Sequence, residues 1–284
     1  MTIEQTICRR TALTGVTTGI VAALAGCTGS NDSEDRDGNT DSTFEDDERG
    51  PIQSITLDET QLVIDLERDV ATRLNVIDPT GELFAWRQID AGVSRTRIDL
   101  GFAYTPGDYE FIALDDDETL GSVVMAFEPN LEFIDLRLAR DYPEEMYEGA
   151  NRFAMEGDAI LYVTNSGSGP TAITTLRFRG DVPYPTRDSY DETGVSGIYD
   201  LENDFSRDAD EVIIPPGKAV RIYSNNVPFS PSRIYNRCET VGEEGQFSVE
   251  FTSTHSAKIH LTEYHVHYLT SDLGECQVEI EGPA

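Results

Sequence analysis

Lysine is nearly missing from this chain. Of 21 basic residues only Lys218 and Lys258 are lysines, and the basic set faces 53 acids, for a formal net charge of −32 over 284 residues. A surface of that sign repels the phosphates of nucleic acid, which removes nucleic acid from the partners to consider. Catalytic signatures are missing as well. There is no Gly-x-Ser-x-Gly elbow, no His-Glu-x-x-His pair and no phosphate loop. Paired carboxylates identify nothing here, because with 53 acids nearly any spacing arises by chance. Helix signals are scarce beyond Pro51, which argues against the two α/β lobes of a solute-binding protein. What remains is 38% hydrophobic residues, enough to bury real cores.

An acid excess with almost no lysine resembles the proteins of extreme halophiles. In molar salt the Debye length falls to roughly 3 Å, so like charges hardly repel. Carboxylates keep such a surface hydrated while salt strengthens apolar association.

The first residues read as an address. Arg9 and Arg10 precede the uncharged, weakly apolar residues 11–24, a stretch shorter than the roughly 20 residues a membrane-spanning helix needs. A charged start, a short apolar middle and small residues at the end make a signal peptide. The twin arginine resembles a Tat export signal, and Leu24-Ala25-Gly26-Cys27 resembles a lipobox. The resemblance implies that residues 1–26 are removed and that Cys27 carries a lipid, which would hold the protein on the extracellular face of the cell membrane. Residues 27–50 follow with nine acids and a single aromatic, Phe44. That composition reads as a disordered, self-repelling tether. Asn31-Asp32-Ser33 is an N-glycosylation sequon within it.

From Pro51 onward, short alternating runs separated by turn residues predict an all-β chain of two antiparallel sandwiches, over 51–129 and 130–284. The first contains Gln61–Leu66, Thr72–Ile77, Leu83–Arg87, Ser94–Leu100, Gly107–Leu114 and Leu120–Phe127. Pro106-Gly107-Asp108-Tyr109-Glu110-Phe111 resembles the late hairpin of immunoglobulin-like or fibronectin-III-like domains. That resemblance implies that Tyr109 braces the turn before its strand. The second sandwich is larger. It carries a helix predicted over 143–152 after Pro143 and an irregular insertion over 181–210, in which Tyr184, Tyr190 and Tyr199 are candidates for a ligand rim or for simple packing.

Four further features call for weighing. Gly167-Ser168-Gly169-Pro170-Thr171-Ala172 loosely fits a dinucleotide fingerprint, but Pro170 and a β-branched run stand where a helix must begin, so it reads as a hairpin turn. Once Cys8 leaves with the signal and Cys27 is lipidated, Cys238 and Cys276 remain as a disulfide pair or as metal thiolates. All four histidines fall between Glu250 and Leu269. His265 and His267 share a strand face and could chelate copper or zinc, the alternative being a half-exposed amphipathic strand. The sequence therefore predicts a lipid-anchored, non-catalytic surface protein that binds an envelope protein or glycan or builds the envelope, with no cofactor. A metal-binding or redox module is the alternative.

Overall fold

The computed structural model describes residues 48–201, 208–230, 244–269 and 277–282, and all of these belong to one compact unit. The chain is mostly β, and every strand pair is antiparallel. Seven strands come first: β1 (Ile52–Asp58), β2 (Gln61–Leu66), β3 (Arg73–Ile77), β4 (Leu83–Gln88), β5 (Arg95–Asp99), β6 (Gly107–Asp115) and β7 (Glu118–Phe127). They form a three-stranded sheet, β1-β2-β5, and a four-stranded one, β4-β3-β6-β7.

The period-2 pattern of the sequence sorts their side chains. Tyr109, Phe111 and Ala113 of β6 are fully buried, between the outward Asp108, Glu110 and Ile112. They meet Leu62, Ile64, Leu74, Val76, Ile98 and Phe127 in one core, where each large side chain contributes about 1.5–3 kcal/mol by leaving water. The Tyr109 hydroxyl donates to the Thr105 carbonyl at 3.0 Å, the bracing contact that the sequence resemblance implied. Seven strands split three and four, with this tyrosine corner, make the sandwich fibronectin-III-like. Turn chemistry sets the register: Asp78 Oδ1 accepts from the Thr80 amide at 2.8 Å and the Glu82 amide at 3.0 Å, and Gly81 supplies a φ of 85°.

Among the described residues, eight strands follow: β8 (Leu131–Leu138), β9 (Ala159–Asn165), β10 (Thr171–Gly180), β11 (Val212–Ile214), β12 (Ala219–Tyr223), β13 (Glu244–Ser253), β14 (Ser256–Tyr268) and β15 (Val278–Glu281). The sheets are β12-β9-β8 and β11-β10-β13-β14-β15. A second core lies between them, built on Leu161, Val163, Leu176, Phe178, Phe229, Phe247, Phe251 and Tyr264.

The helix expected over 143–152 is not continuous. Pro143 starts only a 3-10 turn, Pro143–Glu145, and Gly149 takes a φ of 83° that stops any continuation. The chain restarts as helix α1 (Arg152–Gly157), where Asn151 Oδ1 accepts from the Ala154 amide at 3.0 Å. Among the described residues no helix is long and apolar enough to cross a membrane.

The described part of the 181–210 segment is no loose appendage. Val182, Ile198 and Ala209 are buried in the second core, and a short helix, α2 (Ser189–Thr193), lies within it. Arg177 and Arg179, on the outward face of β10, hold the segment down. Arg177 is 4% exposed and donates to the carbonyls of Val195 at 2.7 Å and Ser196 at 2.6 Å, and to Asp191 at 3.1 Å. Arg179 pairs with Asp188 at 2.9 Å and Asp191 at 2.7 Å. The two guanidiniums hold the Asp191 carboxyl below its ordinary pKa, with the hydrogen bond from Arg177 as the largest cause. Gly197 completes the fit. Its φ is 77°, and a Cβ there would stand 2.3 Å from the Leu176 carbonyl oxygen.

Candidate functional site

Arg9, Arg10, Cys27 and Asn31 lie outside the described residues, as do Cys238 and Cys276. The histidines are described, and they separate. His265 and His267 do share the outward face of β14. His265 stands opposite Gln246 of β13 and Glu281 of β15, and His267 opposite Glu244 and Glu279. His267 Nδ1 lies 3.9 Å from Glu244 Oε1. The two histidines, Glu244, Glu279 and Glu281 line an open groove of about 400 Å³. Among the described residues, no group of three His, Cys, Asp or Glu is placed to hold a metal ion. His260 instead stacks flat on Phe251, its cross-strand partner, with ring centroids 4.6 Å apart. His255 sits in the β13–β14 turn, against the first sandwich.

The three candidate rim tyrosines also go separate ways. Tyr184 accepts a hydrogen bond from Arg187 at 2.9 Å, and Tyr190 lies under the Arg177 guanidinium at 5.7 Å. Tyr199 lines a groove of about 770 Å³, together with Glu59 and Thr60 of the β1–β2 turn, Ile213, Arg221 and Tyr223. A concave surface of this size with apolar walls and a few polar groups is the usual form of a small-ligand site.

Behind that wall sits a cluster that no sequence motif announced. Tyr147 stacks on Tyr199 at 4.1 Å and meets Tyr223 edge-on at 5.2 Å. The Tyr223 hydroxyl donates to the Glu145 carbonyl at 2.8 Å, and Tyr162 donates to the Glu145 carboxylate at 2.6 Å. Arg137 bonds the same carboxylate and lies over the Tyr142 and Tyr162 rings. Beside Tyr147 lies Asp158, 3% exposed, whose Oδ1 has no hydrogen-bond partner. Burial pushes its carboxyl up to about 8, and burial together with the Asp158 charge raises the Tyr147 phenol. Two bonded members of this cluster, Glu145 and Tyr223, are 78 positions apart, so periodicity and spacing could not have found it.

The Gly167–Pro170 turn joins β9 to β10, but not as the hairpin turn expected from the sequence: β9 pairs with β8 and β12, β10 with β11 and β13, and the turn carries the chain from one sheet to the other. It is also where the second sandwich meets the end of β7 and the β5–β6 connection. The Ser168 amide donates to the Glu128 carbonyl at 2.8 Å, and the Glu128 amide donates to Ser168 Oγ at 3.0 Å. Both glycines are there for close approach. A Cβ at Gly167 would stand 2.1 Å from the Glu128 carbonyl oxygen, and one at Gly169 would stand 2.0 Å from the Tyr104 hydroxyl.

No family model matches the chain, and no curated protein matches it significantly. Among solved structures it is similar to a two-domain fibronectin type III segment of chicken tenascin, at 11% identity and a TM-score of 0.27, over 77% of this chain and 99% of that one. It is similar to a β-glucuronidase of glycoside hydrolase family 2, at 12% identity and a TM-score of 0.26, over 83% of this chain and 22% of that one. A third likeness is to the human OSCAR ligand-binding domain, at 8% identity and a TM-score of 0.20, over 78% of this chain and 87% of that one. The chain thus spans about a fifth of the length of the glucuronidase. None of these likenesses bears on activity.

Proposed function

We propose that this chain is an exported, lipid-anchored surface protein of a halophile whose two sandwiches serve a non-catalytic role, binding an envelope protein or glycan or building the envelope itself. The observation that carries the reading is the Leu24-Ala25-Gly26-Cys27 site behind Arg9, Arg10 and the uncharged residues 11–24. The acid-rich, lysine-poor composition supports the saline setting. The groove beside Tyr199 and Tyr223 supports a binding role, since it offers apolar walls with an Arg221 guanidinium and carboxylates around them.

The experiment is expression in a halophilic host, with detergent partition and mass analysis of the first mature peptide. The wild type should partition with membranes and carry a lipid on Cys27. Cys27→Ser should be released or remain unprocessed, and Arg9→Lys with Arg10→Lys should stay inside the cell. Normal processing and unchanged membrane association of Cys27→Ser would refute the anchor.

A further inference from the structure

The seam between the two sandwiches is closed by one histidine. His255 occupies the two-residue turn between β13 and β14, where Ser253 pairs with Ser256, and its ring meets the Tyr104 ring at a centroid distance of 4.4 Å. His255 Nε2 lies 3.0 Å from the Tyr104 carbonyl oxygen. A carbonyl only accepts, so Nε2 carries the proton. Nδ1 is then the acceptor, 3.1 Å from Thr171 Oγ1 and 3.4 Å from Thr254 Oγ1. The neighbouring bonds span the same seam. Thr254 Oγ1 donates to the Phe102 carbonyl at 3.1 Å, and the buried Tyr104 hydroxyl donates to the Pro170 carbonyl at 2.9 Å. Phe102 and Tyr104 belong to the β5–β6 connection of the first sandwich, and Pro170, Thr171 and Thr254 to the second. A neutral imidazole, one nitrogen donating and the other accepting, thus completes a ring of bonds between the two bodies.

We propose that this seam is a pH-sensitive latch: neutral His255 holds the two sandwiches together, and protonation of its imidazole releases them. The charged form loses on two counts. Its Nδ1 must donate where it now accepts. Of the hydroxyls it faces, Thr254 Oγ1 already donates to Phe102 and accepts from the Ala172 amide at 3.3 Å, so Thr171 Oγ1 must reverse its bond to the ring to take the new proton. The charge would also sit in a half-buried place beside the buried Tyr104, and that desolvation holds His255 below the ordinary histidine pKa. The other titratable groups around it are the Tyr104 phenol, which burial keeps protonated, and Glu128 and His260, which line the same groove.

Hydrogen exchange of the full chain in molar salt tests the latch, with rates corrected for the intrinsic effect of pH. The reporters are peptides carrying the amides of Glu128 and Ser168, which bond across the seam, with β6 and β9 as core controls. Between about pH 7.5 and about pH 4.5, a range that brackets histidine titration, the wild type should lose seam protection several-fold while the core peptides hold. His255→Gln keeps a donor and an acceptor but takes no charge. In it, and in His255→Ala, the response should vanish. A wild-type seam equally protected at both pH values would overturn the proposal. So would a response that persists in either variant, because carboxylates would then be its source.

Discussion

Replacing Asp158 with Asn should make this protein more stable, and increasingly so as pH rises. Asp158 closes helix α1, donating its amide to the Ala154 carbonyl at 2.9 Å and accepting from the Ala139 amide at 3.0 Å, which fixes the backbone whatever the side chain. Its carboxyl is 3% exposed, and burial raises it from an ordinary 3.8 to about 8. A carboxyl raised in the folded state binds its proton more tightly there than in the unfolded chain. Stability is therefore fully present below about pH 4 and is lost progressively up to about pH 8. At pH 7 the folded protein must keep a proton that the unfolded chain has released. A gap of roughly 3 units at about 1.4 kcal/mol each sets a ceiling near 4 kcal/mol. Asn carries no such cost, but it places an NH2 group where the carboxyl needs only one proton, and an unmet donor costs about 1–3 kcal/mol. The net expectation is a gain of about 1–3 kcal/mol at pH 7. At roughly 2–4 °C per kcal/mol for a chain of this size, Tm should rise by about 3–10 °C. Thermal unfolding of both proteins in molar salt, at intervals from pH 4.5 to 8.5, reads the outcome. A difference that does not change with pH would refute the reasoning, because it would mean that Asp158 titrates alike in the folded and unfolded chain.

Two further predictions rest on separate observations. In dilute buffer the Debye length reaches about 30 Å at 0.01 M, and a net charge of −32 then acts on itself unscreened. Near-ultraviolet circular dichroism should show tertiary structure lost there and regained in molar salt, and a Tm that stays flat across that range would count against the halophilic reading. At the seam, Gly169→Ala puts a Cβ 2.0 Å from the Tyr104 hydroxyl and should cost about 1–3 kcal/mol through overpacking. Tyr104→Phe should return part of that loss in the double variant, as a denaturant double-mutant cycle would show. Strictly additive costs would place the strain elsewhere.

What could be read in advance followed the physics of one buried face. Strand β6 was legible because Tyr109, Phe111 and Ala113 alternate with Asp108 and Glu110, and only one face of that sheet enters the core. Strand β1 was not, because the register shifts between Ile52 and Ser54, and such an irregularity breaks the period-2 signal a strand is recognised by. The 143–152 segment offered a proline start and a first turn of acids, but Gly149 takes a left-handed conformation and the helix begins only after Asn151. The same division holds for the candidate sites. The address proposed at Leu24-Ala25-Gly26-Cys27 rests on consecutive residues and needs no fold to be proposed. His255 stood in the sequence as one of four histidines, with nothing to set it apart from its neighbours in β14. Its role depends on Tyr104, 151 positions away, and on two glycines whose missing side chains let the turn between β9 and β10 approach Tyr104 and the Glu128 carbonyl. Spacing along a chain cannot encode that meeting. It exists only once both sandwiches have formed, and for that reason a joint between domains is the part of this protein that composition and motif could not foretell.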